Sequence, residues 1–191
     1  MTACEPRLAW SRLACAAVAA TCLLLSADSY AQSATAAALT SAFLYNFAKF
    51  TEWPADALAP GQRLALCVLG DTAVAAALEQ TIRGHAIESH ELTVELLKQD
   101  ASARSCHLLY ASGLDEKRSL VLIDSLKASP VLTASDADRF AELGGVAQLV
   151  LENGRMRFTI NVGAAQRARL QLSSKLLSLA RIIKDEQHVQ H

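Results

Sequence analysis

The chain has 191 residues, with 18 lysines and arginines against 19 acidic residues and a net charge of −1. That balance gives no electrostatic case for nucleic acid or for an anionic membrane surface. Apolar residues make up 52% of it, which suits a compact core, and no internal repeat or low-complexity linker divides it.

Residues 1–31 read as a secretory signal. Arg7 and Arg12 supply a positive start, residues 13–27 are almost wholly apolar or small, and Ser29-Tyr30-Ala31 places small residues where a signal peptidase reads them. Cleavage after Ala31 is expected. The apolar run of about 15 residues is short for a bilayer span of about 20, so an uncleaved anchor is the weaker alternative. A lipoprotein signal is weaker still, because Cys22 follows Ala19-Ala20-Thr21 with no leucine three residues before it. The mature chain, 32–191, has 160 residues, fits one domain and keeps the charge of −1. It also keeps only two of the five cysteines, Cys67 and Cys106. An even pair in an oxidising compartment is expected to be bridged, closing a loop of 40 residues, counting both ends. Such a bridge stabilises by roughly 4 kcal/mol in the chain-entropy model. A structural staple, a redox-sensing switch and a free buried pair are the three readings. Without a Cys-x-x-Cys, oxidoreductase chemistry has no support.

The first mature element is a helix over 35–50, from Leu39, Phe43, Phe47 and Phe50 at helical spacing, ended by Trp53-Pro54. Five of the eight mature aromatics lie between Phe43 and Trp53, so this helix is a main core element or covers a pocket. A strand over 63–69 turns at Gly70-Asp71-Thr72 into a helix from 73 to about 82, capped by Asp71 or Thr72. The lone glycine after that strand is a very weak nucleotide signal. Residues 91–97 alternate as a half-buried strand, and 106–111 form the next. Ser112 caps a helix through Leu126. A short strand at 130–133 and a short helix carrying Phe140 follow, closed by Gly144-Gly145. Asn153-Gly154 between apolar runs at 146–151 and 156–160 marks a hairpin. The last element is a helix from about 164 to 184, whole or broken near Leu170, with Leu172, Leu176, Leu179, Ala180 and Ile183 on one stripe and Leu177 off it. The fold class expected is α/β in a single domain: five or six mostly parallel strands, a late antiparallel hairpin, and helices on both faces.

Catalytic constellations are thin. His85, His90 and His107 are scattered, with no metal-ligand spacing, and no Ser-x-x-Lys or Gly-x-Ser-x-Gly is present. No cofactor is implied. Arg155, Arg157 and Asn161 share one face of a strand and are a candidate row for an anionic ligand, against a solvated hairpin face. Trp53 is a candidate ligand-stacking residue, against a core or lid role. Leu177 is a candidate partner surface.

Several blocks together resemble the YfiR-like family of bacterial periplasmic proteins. They are Tyr45-Asn46-Phe47-Ala48-Lys49-Phe50-Thr51-Glu52-Trp53-Pro54, Leu66-Cys67-Val68-Leu69-Gly70-Asp71, Cys106-His107-Leu108-Leu109-Tyr110, Arg157-Phe158-Thr159-Ile160-Asn161 and Ser173-Ser174-Lys175-Leu176-Leu177-Ser178-Leu179-Ala180-Arg181. The resemblance implies an α/β domain with no known catalysis. It implies a periplasmic repressor that binds the sensory domain of an inner-membrane diguanylate cyclase, so that its release raises cyclic di-GMP and favours biofilm. It further implies sequestration by an OmpA-like outer-membrane lipoprotein, and a homodimer is consistent with it. Cys67 and Cys106 match one disulfide position of the family, in which cysteine redox state is tied to repressor stability. A second pair found in some members is absent here. Against this reading stand a periplasmic small-ligand sensor acting on another membrane signalling protein and, third, an enzyme.

Overall fold

The computed structural model describes residues 34–98 and 101–184, so the candidate signal sequence lies outside the described residues. The chain divides into Met1–Ala36 and Ala37–His191, and the fold described here is that of the second unit.

Helix α1 (34–49) leads into β1 (Thr51–Glu52). Its end is satisfied locally: the Thr51 hydroxyl donates to the Phe47 carbonyl at 2.7 Å. Next come β2 (Leu64–Leu69), α2 (Thr72–Ile82), β3 (Ala86–Ile87), β4 (His90–Leu97), β5 (Leu108–Ala111), α3 (Glu116–Ser125) and β6 (Leu132–Ser135). The chain closes with β7 (Ala147–Glu152), β8 (Arg155–Asn161), α4 (Val162–Arg167), β9 (Gln171–Leu172), α5 (Ser174–Leu177) and β10 (Arg181–Ile183).

The α/β class holds, with a larger sheet than expected. Eight strands run in the order β10-β8-β7-β6-β5-β2-β4-β3. Strands β4, β2, β5, β6 and β7 are parallel, and the β7–β8 hairpin is antiparallel, turning at Asn153 and Gly154 with φ of 50° and 73°. The additional strands are β3 and β10, of two and three residues. Asp71 caps α2, accepting from the Val74 N–H at 2.9 Å. Asp115, not Ser112, caps α3, because the chain turns through Gly113 first.

Two apolar layers sandwich the sheet. The larger holds Leu44 and Phe47 of α1, Val74 and Leu78 of α2, and Ala164 and Ala165 of α4 against Leu66, Val68, Leu108, Leu132 and Ile160. Phe43, Phe47 and Phe158 form its aromatic centre, with ring centroids 5.2–6.3 Å apart. The smaller layer lies on the opposite face, where Leu122 and Leu126 cover Cys67, Leu109 and Val131. A disulfide joins Cys67 to Cys106 there, with Cα atoms 5.9 Å apart.

Two segments depart from the sequence expectation. Residues 137–144, read as a short helix, are a run of turns. They wrap the fully buried Phe140, and a Cβ on Gly145 would clash with the edge of that ring. Gly145→Ala is therefore expected to cost about 1–3 kcal/mol, the range for overpacking a filled core, read as a lower thermal midpoint. The expected last helix is in fact α4, β9, α5 and β10. Its periodicity was produced by two short helices and two very short strands. β9 pairs with β1, and β10 pairs with β8.

Candidate functional site

The β1–β9 ladder brings the two most distinctive stretches of sequence together. Thr51 pairs with Leu172, Glu52 with Gln171, and the Ser173 N–H donates to the Phe50 carbonyl at 2.9 Å. A cleft of about 520 Å³ opens beside this junction. Its lining combines apolar Phe50, Trp53, Leu58 and Ile87 with polar Lys49, Glu52, Glu88 and His90.

The loop over 54–62 forms one wall and is tied down from several directions. The Trp53 indole N–H donates to the His107 carbonyl at 3.0 Å. The Ala65 N–H donates to Nδ1 of His107 at 3.0 Å, so Nδ1 carries no proton. The proton is on Nε2, which lies 3.1 Å from the Ala57 carbonyl and donates to it. This neutral imidazole is 5% exposed. Burial holds its pKa below the ordinary 6.5, the hydrogen bond to Ala57 opposes that, and nearby His90 adds to the lowering. His90 is itself buried and meets the Gln62 carbonyl at 2.7 Å through Nδ1. Asp56 accepts both hydrogen bonds from Arg169 Nη1, at 2.9 and 3.1 Å. Cys106, beside His107 in sequence, belongs to the opposite layer, so the disulfide and this clamp meet in consecutive residues.

Trp53 thus lines a cleft and is half-buried. His90 and His107, which showed no pattern in the sequence, are structural clamps of its wall. The arginine–asparagine row does not survive as a unit. Arg155 and Arg157 are exposed on β8, but Asn161 at its end is fully buried. Its amide donates to the Ala141 carbonyl at 2.8 Å and its oxygen accepts from the Ala164 N–H at 2.9 Å, capping α4. Arg157 pairs with Glu152 at 3.3 Å. The depression it lines, about 420 Å³, carries Arg139, Arg157 and Arg181 against Asp138, Glu142 and Glu152, so its charge is balanced. Trp53 and Arg157 line different depressions.

Leu177 is half-buried against the larger core, because the turn of α5 faces inward there. Leu179, assigned to the buried stripe, is 77% exposed. Leu177→Asp is accordingly expected to lower stability by about 1–3 kcal/mol, as for a charge placed against an apolar layer, seen as a lower urea midpoint.

The parallel sheet also has a topological switch point between β2 and β5, where open α/β sheets bind ligands. Here its polar groups are bonded to one another. Asp71 caps α2, and Asp136 accepts from the Ser112 hydroxyl at 2.8 Å and the Gly113 N–H at 3.2 Å. Gly70, at φ 88°, brings its Cα so close that a Cβ would lie 2.7 Å from the Ser112 carbonyl oxygen. Among the described residues no group of three or more His, Cys, Asp or Glu residues is placed to hold a metal ion, and no helix is long and apolar enough to cross a membrane.

Among curated proteins, no sequence matches the chain. A solved structure similar to it is a conserved domain protein from Vibrio cholerae O1 biovar El Tor strain N16961, 15% identical, with a TM-score of 0.42 over 63% of this chain and 54% of that one. The chain spans about half the length of that protein. The model of the YfiR/HmsC-like family matches residues 37–181, from within α1 to the first residue of β10. That match takes in nearly all of the described domain, and the chain belongs to the YfiR/HmsC-like family.

Proposed function

We propose that the protein is a non-enzymatic periplasmic regulator that binds and represses the sensory domain of an inner-membrane diguanylate cyclase, lowering cyclic di-GMP and biofilm formation. The observation that carries this reading is the family match over residues 37–181. An OmpA-like outer-membrane lipoprotein is the proposed antagonist, and residues 1–31 the proposed cleaved export signal. The test is cellular cyclic di-GMP in a deletion strain, with and without the exported protein restored. A rise on deletion that restoration reverses is the expected result. An unchanged level overturns the reading.

A second reading, a small-ligand sensor, is favoured by the cleft beside Trp53, which is lined by both apolar and polar residues. The two are compatible, since a ligand that favours one conformation shifts partner affinity. Trp53 is the one tryptophan after residue 31, so its emission in the mature protein would report occupancy directly. Emission that stays constant across a panel of periplasmic metabolites would remove this reading.

A further inference from the structure

The eight-stranded sheet has two edges, and they are finished differently. At one, the three residues of β10 lie along β8. At the other, β3 covers only His90 and Glu91 of β4. From Leu92 to Leu97, β4 pairs on its inner side with β2, and among the described residues no strand lies on its outer side. A row of free N–H and C=O groups of this length is a template for another strand. Proline, lysine or a very short edge would blunt it, and β4 reads His-Glu-Leu-Thr-Val-Glu-Leu-Leu over eight residues.

The side chains along this edge narrow what can dock. Leu92 and Val94 pack on the larger core. Leu96 continues their ridge and is 53% exposed. Glu91 and Glu95 project from the opposite face and are exposed. From Glu88 to Leu97 the chain carries three carboxylates and no lysine or arginine. Glu91 and Glu95 have no ion pair or side-chain hydrogen bond among the described residues. A second copy of the chain fits poorly. In the antiparallel two-fold register that sets Val94 opposite itself, each Glu95 lies diagonal to Glu91 and Glu95 of the other copy. A shift of one residue pair in either direction opposes glutamates directly, which destabilises a sheet.

We propose that residues 92–97 are a docking edge for an extended segment of a partner protein in which basic residues alternate with apolar ones. The segment adds to the sheet as a strand. Its backbone completes the β4 ladder, its apolar residues extend the ridge of Leu92, Val94 and Leu96, and its basic residues lie opposite Glu95 and diagonal to Glu91, whose own opposite position is taken by Ala86. The proposal rests on the regulator reading for the kind of partner, a protein.

The test uses a labelled heptapeptide alternating lysine and valine, titrated into the full exported chain and followed by anisotropy. Its control is the block isomer, four lysines then three valines. Saturable binding of the alternating peptide is expected, with slowed amide exchange at residues 92–97. The double variant Glu91→Lys/Glu95→Lys should bind about tenfold more weakly, the change expected from two lost cross-strand charge pairs. Absence of saturation, equal binding of the block isomer, or unchanged affinity in the double variant overturns the proposal. The cyclase sensory domain separates the two readings. If it binds wild type and double variant alike, the docking edge is wrong and the regulator reading stands. If it binds neither, the regulator reading fails, and the peptide titration still decides the edge.

Discussion

Replacing Cys67 with serine is expected to lower the unfolding free energy by about 2–5 kcal/mol, the usual cost of losing a native disulfide in a small domain. Two features place the loss in the upper part of that range. The bridge closes a loop with a sequence separation of 39, for which the chain-entropy model gives roughly 4 kcal/mol. Cys67 is also fully buried in the centre of β2, among Leu109, Leu126 and Val131, where a serine hydroxyl has an apolar neighbourhood. Urea denaturation of wild type with and without reductant isolates the covalent term. The pair Cys67→Ala/Cys106→Ala separates it from the cost of the hydroxyl. An unchanged urea midpoint under reductant would remove the staple reading.

The strands that could be read in advance are those whose residues alternate or whose turns carry a specific signal. β4 shows period two over residues 91–96, and Asn153-Gly154 marks the β7–β8 hairpin. The end of the chain misled for a physical reason. Leu172, Leu176, Leu179, Ala180 and Ile183 recur at helical spacing, yet β9 and β10 span two and three residues, too few to display any period. Their state is set by partners far away in sequence, Glu52 for Gln171 and Thr159 for Arg181. Tertiary pairing overrode local pattern. The altered path leaves Leu179 in solvent and turns Leu177 inward.

The candidate site was legible to the same extent. Trp53 stood out because aromatics crowd around it, and it does line a cleft. Asn161 shared a strand face with Arg157 in the sequence, but β8 ends there and its amide is consumed in capping α4. His107 carried no signal, because its role depends on Ala57 and Ala65, which lie 50 and 42 residues away. The one local hint was its position between Cys106 and the apolar run Leu108-Leu109, a context that buries an imidazole and obliges it to find partners.

That role gives His107 the second large expected effect. His107→Ala leaves the Ala65 N–H and the Ala57 carbonyl without their imidazole partner and opens a void between them. About 2–5 kcal/mol of stability should be lost, from two unpaired groups at about 1–3 kcal/mol each, softened by whatever water reaches them. Trp53 emission should shift to the red as the loop over 54–62 loosens. His107→Gln separates hydrogen bonding from titration, since an amide can accept from Ala65 and donate to Ala57. Burial depresses the His107 pKa below its ordinary 6.5, so below pH 6.5 the unfolded chain binds more protons than the folded one. The contribution of neutral His107 is thus complete above pH 6.5 and shrinks as pH falls from there toward the folded pKa, by at most about 1.4 kcal/mol per pH unit. Wild type should lose stability faster than His107→Gln between pH 7 and pH 5, narrowing the gap between them. Parallel stability curves over that interval would show that the clamp does not titrate with folding, and an unshifted Trp53 emission in His107→Ala would show that the loop is held without it.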